Sequence, residues 1–153
     1  MHRDHANANR SVWARFNQGT RAFKGLVNYD TIYRWYIGAG IDNMIADNIM
    51  YAELRPMLLD KSIPSQDGTK KLDLNDQMRI IVEELEKKKE DLRSRGELHK
   101  FPFGIKIIYC TPRSIPREIM KRELQDCIKL KLAYRDLICG TSSLSSFCTS
   151  ATV

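Results

Sequence analysis

Histidine is scarce in this chain. Its 153 residues hold three, His2, His5 and His99. A protein metal centre draws three or four nitrogen, sulfur or oxygen donors to one point. His2 and His5 share neither a helix face nor an alternating strand face, and His99 stands alone. Cysteine is nearly as thin: Cys110, Cys127, Cys139 and Cys148 show no C-x-x-C spacing, which excludes a zinc-ribbon or thioredoxin-type motif. The eight glycines form no Gly-x-Gly-x-x-Gly, no Walker loop and no Gly-x-Ser-x-Gly elbow. Long apolar runs are missing as well. Nothing nears the ~20 residues that cross a bilayer, so no membrane partner is expected. The opening Met1–Arg10 carries charge without the apolar segment of a signal peptide. From the residues alone, neither a catalytic set nor a metal-ligand set is expected.

What remains is ordinary globular material, 42% hydrophobic and 29% charged, enough for one domain with a core. The net charge of +6 raises the question of a nucleic-acid partner. Its basic residues alternate with acidic ones, as in Glu83-Glu84-Leu85-Glu86-Lys87-Lys88-Lys89-Glu90-Asp91. A mixed run of this kind is a solvated helix face, so no nucleic-acid partner is expected.

Helical spacing opens the chain. Residues 1–10 are expected to be disordered. Ser11 can cap a helix whose apolar stripe is Val12, Trp13, Phe16, Phe23, Leu26 and Val27. Asp30 can cap a second, with Ile32, Tyr33, Trp35, Tyr36, Ile37, Ile41, Met44 and Ile45 as a broad apolar face. Gly38 and Gly40 inside it imply close packing or a kink. A strand follows from Ile49 towards Pro56. Alternation puts Met50, Ala52 and Leu54 on one face and Tyr51, Glu53 and Arg55 on the other. Residues 59–72 read as a loop. Asp73 opens a long helix to about Arg95, with Leu74, Met78, Ile81, Val82, Leu85 and Leu92 as its stripe and Gly96 as its C-terminal cap.

A second strand, Phe103 to Cys110, is apolar apart from Lys106, as a strand covered on both faces would be. Ser114 can cap the next helix, with Ile119, Leu124, Ile128 and Leu132 turned inward. Leu137-Ile138-Cys139 begins a third strand, in which Cys139, like Cys110 before it, reads as a small buried apolar residue. Residues 141–153 are rich in serine and threonine, lose all periodicity, and read as a disordered tail. Strands alternating with helices predict an α/β fold with a parallel sheet.

Two places could carry chemistry. Glu53 and Arg55 project from one strand face, as a site at the strand end or, more simply, as a structural ion pair that ties neighbouring strands or a solvent-facing side. Thr111-Pro112-Arg113-Ser114 joins a strand to a helix N-terminus, where anions are favoured; without glycines it reads as a capped turn.

Several segments, taken in order, are similar to a known family. Val12-Trp13-Ala14-Arg15-Phe16, Asp47-Asn48-Ile49-Met50-Tyr51-Ala52-Glu53-Leu54-Arg55, Phe103-Gly104-Ile105-Lys106-Ile107-Ile108-Tyr109 and Arg113-Ser114 resemble the extracellular, growth-factor-type adenosine deaminases. The resemblance covers residues 11–140. It implies a (β/α)8 barrel, here an incomplete one with two to three parallel strands and flanking helices. It implies hydrolysis of adenosine to inosine and ammonia, with a zinc-activated water attacking C6 and a glutamate shuttling protons. It assigns Trp13 to the substrate pocket and leaves Glu53 and Arg55 structural. Homodimers are an arrangement open to full-length members, and secretion is the location the family implies. The family's His-x-His-x-Asp and His-Ala-Gly-Glu segments do not occur in this sequence. The resemblance therefore implies a fragment that binds no zinc and is inactive alone. The alternative is a non-catalytic module, derived from that barrel, that binds a nucleoside or a partner.

Overall fold

The computed structural model describes residues 4–56, 58, 61–112 and 115–144. Helix α1 spans Asp4–Val27 and α2 spans Asp30–Ala46. Strand β1 is Tyr51–Leu54, and a short antiparallel pair, β2 (Ile63–Pro64) with β3 (Lys71–Leu72), interrupts the expected loop. Helix α3 is Leu74–Ser94, β4 is Gly104–Pro112, α4 is Arg117–Ala133 and β5 is Ile138–Leu144. Helix α1 thus begins inside the segment expected to be disordered, and β5 runs into the expected tail. Residues 1–3, the Ser114 cap, Cys148 and the rest of the tail from 145 lie outside the described residues.

The sheet has three strands in the order β1-β4-β5, and both pairings are parallel. This is the α/β architecture expected, an open sheet flanked by helices. Tyr51 pairs with Gly104 and Leu54 with Ile107, so the Tyr-x-Glu-x-Arg and Gly-Ile-Lys-Ile-Ile-Tyr segments are neighbouring strands. Between Ile107 and Ile108 the β4–β5 register shifts by one residue, leaving Cys139 unpaired. An extra residue of this kind bends a strand and re-aims side chains.

Helix α3 organises the core. Asp73 accepts from the Asp76 N–H, and Asp76 accepts from the Asp73 N–H, which satisfies two donors that a helix start leaves orphaned. Met78, Ile81, Leu85 and Leu92 then lie buried along one stripe, as their spacing predicts. They meet Ile105, Ile107 and Tyr109 of β4, Ile41 of α2, Phe101 and Ile138 in one continuous cluster. Gly96 ends the helix at φ 69°, a left-handed conformation that glycine adopts without a Cβ clash. In α2, a Cβ on Gly38 would stand 3.1 Å from Glu84 Oε2, whereas one on Gly40 would meet nothing within 4 Å. Gly38 therefore serves close packing of α2 on α3, where Glu84 receives Arg34 at 3.2 Å.

Helix α4 departs from the expectation. Ile119, Leu124, Ile128 and Leu132 are between 36% and 61% exposed, while Glu123, Cys127 and Leu130 are buried. The helix is turned so that a carboxylate faces the core. The reason is hydrogen bonding: Glu123 finds both of its partners on that side, as described below. Helix α1 also shows most of its apolar stripe to solvent, with Val12, Phe16 and Leu26 more than half exposed.

Candidate functional site

The sheet divides the molecule chemically. Ala52, Leu54, Ile105 and Ile107 join the core with the helices. Alternation sends Tyr51, Glu53 and Lys106 to the other face, with Glu53 directly opposite Lys106 in register. On this open face Tyr51 Oη donates to Glu53 Oε1 at 2.9 Å. Desolvation, then that hydrogen bond, raises the Tyr51 phenol above its ordinary value. Lys106 Nζ donates to the Asp136 carbonyl just before β5. No ion pair joins Glu53 to Arg55 among the described residues; the carboxylate is held by Tyr51 instead. Tyr51 and Glu53 are two residues apart on this strand, the same separation as Glu53 and Arg55. Cys110 is fully buried, and burial pushes its thiol up, against an opposing pull from Arg55. Cys139, expected to be buried, is exposed, because the register shift takes it out of the ladder.

The helix side of β4 holds a second polar group of residues, and it is the better built. Tyr109 Oη donates to Glu123 Oε2 at 2.8 Å, in a setting where both residues are at most 3% exposed. Lys61 Nζ reaches Glu123 Oε1 at 2.7 Å and Asp126 Oδ2 at 2.8 Å. Burial pulls the Lys61 ammonium down, but hydrogen bonds to Asp126 and Glu123 more than offset it and leave it above its ordinary value. Burial, followed by the bond to Glu123, drives the Tyr109 phenol far up, so it stays a neutral donor. A cavity of about 250 Å³ adjoins these groups, lined by Tyr109, Thr111, Met120, Glu123, Leu124, Cys127 and Thr141.

Sequence reasoning missed this cluster. The signal was present: Glu123, Cys127 and Leu130 recur at spacings of four and three, one helix face with a carboxylate in it. Trp13, assigned to a substrate pocket by resemblance, is 42% exposed on α1 and packs edge-on against Phe16 at 5.7 Å. The structure does not bring it to Glu53, Arg55 or the Glu123 cluster.

The described residues do not fit a zinc ion. None of their histidines, cysteines, aspartates and glutamates gather in threes or more in a way that could hold a metal. His99 sits in the turn Leu98–Lys100, and the buried thiols Cys110 and Cys127 belong to β4 and α4. No helix among the described residues is long and apolar enough to cross a membrane.

An open parallel sheet with helices packed on one face, and a polar strip on the other, is what a segment of a larger α/β barrel would present. Two curated proteins are similar to the chain in sequence. Over 129 residues the chain is 27% identical to adenosine deaminase 2 of Sus scrofa, a match covering 84% of this chain and 23% of that protein. Over 48 residues it is 40% identical to adenosine deaminase 2-A of Danio rerio, covering 31% of this chain and 10% of that protein. The chain thus spans less than a quarter of the length of these curated relatives. No family model matches it.

Proposed function

We propose that the chain corresponds to the part of an adenosine deaminase 2-like barrel that carries two strand–helix units and the strand after them. The whole barrel would bind zinc and hydrolyse adenosine to inosine and ammonia in an extracellular setting. This chain supplies scaffold and Trp13, which would line the substrate pocket. By itself it binds no zinc and does not turn over adenosine.

The observation that carries this reading is the parallel pairing of Tyr51–Leu54 with Gly104–Ile107. Two segments that resemble one family stand side by side, as adjacent barrel strands must, and their Glu53/Lys106 face is left open, where further strands would close a barrel interior. The test is a deamination assay on the purified chain with and without added zinc, followed by the loss of adenosine absorbance and by chromatography of inosine. No turnover is expected in either case. Stoichiometric zinc uptake with inosine production would overturn the fragment reading.

A second reading has its own support. The chain builds a continuous core around α3 from its own residues, as a free-standing module would. If it is a nucleoside-binding module, calorimetry will show adenosine binding that weakens at least tenfold in Trp13→Ala.

A further inference from the structure

One largely apolar cavity among the described residues is not on the open sheet face. It lies among the helices, where the end of β1 meets α1, α2 and α3, and it has a volume of about 600 Å³. That is within the range of roughly 300–1,000 Å³ typical of small-molecule sites. Phe23, Tyr36, Ile37, Leu54, Leu58 and Ile81 supply its apolar walls, and Phe23 and Tyr36 meet edge to face at 5.6 Å.

Two further observations say what would fit there. Tyr33 lines the cavity and is 9% exposed, and its hydroxyl has no hydrogen-bond partner. Burying a hydroxyl without a partner costs free energy, and native structures seldom keep one without a reason. Desolvation lifts this phenol to about 12, so at neutral pH it is a donor waiting for an acceptor. Among the described residues that line it, the charged ones are all basic, and Arg21 and Arg55 stand beside the apolar walls.

We propose that this cavity binds a small amphipathic acid: an apolar, ring-sized body, an anionic head for the basic residues, and one hydrogen-bond acceptor for Tyr33. The apolar walls desolvate the body of such a ligand, Arg21 and Arg55 pair with the head, and Tyr33 gains the partner it lacks. Leu54 walls the cavity from β1, and Arg55 closes it where that strand ends.

Dansylglycine has the required parts: a naphthalene ring, sulfonyl acceptors and a carboxylate. Its fluorescence should rise and shift to the blue with saturable binding of one molecule per chain. Dansylamide, which lacks the carboxylate, should bind at least tenfold more weakly. Arg55→Gln should weaken dansylglycine about tenfold and reduce its salt dependence. Tyr33→Phe should weaken it severalfold without lowering the melting temperature, since it removes an unpartnered group. Ile37→Trp, which fills the cavity, should abolish binding; near-ultraviolet circular dichroism checks that each variant keeps its packing. Equal affinity for the two dyes, non-saturable binding, no binding, or indifference to both Tyr33→Phe and Ile37→Trp in folded protein would each overturn the assignment.

Discussion

The Glu123 cluster offers a quantitative test of how α4 is seated. Lys61→Met removes the cation that meets Glu123 at 2.7 Å and Asp126 at 2.8 Å. The Glu123 side chain is 4% exposed, so among the described residues its charge would be left with Tyr109 as its one donor. Breaking a fully buried ion pair costs about 3–5 kcal/mol. The Lys61 side chain is 45% exposed, so water screens its end of the pair and the expected loss falls to about 1–3 kcal/mol. Tyr109→Phe removes a hydrogen bond to a charged group and should cost about 1.5–3 kcal/mol. Both variants act on one carboxylate, so together they should depart from additivity by about 0.5 kcal/mol or more. The sharper comparison is Lys61→Met with Glu123→Gln. Neutralising the carboxylate keeps an acceptor for Tyr109 and removes the uncompensated charge, so the double variant should recover much of the loss. Urea denaturation followed by circular dichroism measures the unaltered protein and each variant. If Lys61→Met costs under 0.5 kcal/mol, or if Glu123→Gln deepens its loss, the carboxylate is not what orients α4.

Three further outcomes are expected. In a Cys148→Ser background, Cys139 should react rapidly with a thiol-disulfide reagent, while the buried Cys110 and Cys127, their thiols pushed up by burial, react only as the chain unfolds; equal rates for all three would contradict the register shift at Ile107/Ile108. Gly40→Ala should stabilise the protein by up to ~1 kcal/mol through helix propensity, and Gly38→Ala should gain less or lose stability, because its Cβ would crowd Glu84 Oε2 at 3.1 Å; thermal melts that rank them the other way would refute the α2–α3 contact. Hydrogen bonds from the Ser65 hydroxyl and from the Thr69 N–H and hydroxyl hold the Asp67 carboxyl down at about 2, below its ordinary 3.8. A depressed acid favours the folded loop above its ordinary value, and the benefit disappears as pH falls from about 3.8 to about 2. Carboxyl carbon shifts read by NMR should show that midpoint, and a midpoint near 3.8 would mean the loop bonds do not form.

The parts of the fold that were legible in the sequence are those governed by local rules. The stripe and caps of α3 follow from periodicity, Asp73 and Gly96, and the apolar run of β4 marks a central strand. The resemblance placed β1 and β4 in one sheet. The seating of α4 was not legible, because Leu124, Ile128 and Leu132 form as good an apolar stripe as the face that is buried. The choice between them is made by Glu123 meeting Tyr109 from strand β4 and Lys61 from a loop, and no window along the chain contains all three. Cys139 is a similar case, since a register shift is a property of two strands. Tyr33 was read as one member of a broad apolar face; that its hydroxyl would lack a partner depends on three other elements.

Both ladders of the sheet run through β4. Strand β1 leaves the ribosome first, but its partner lies beyond the whole of α3. Among the described residues the strand that pairs with Tyr51–Leu54 is Gly104–Pro112, and α3 with its reciprocal cap lies between them. Loop closure of this length makes parallel pairing slow compared with helix formation. On these rules α3 is expected to form before β4 pairs with β1 on one side and β5 on the other.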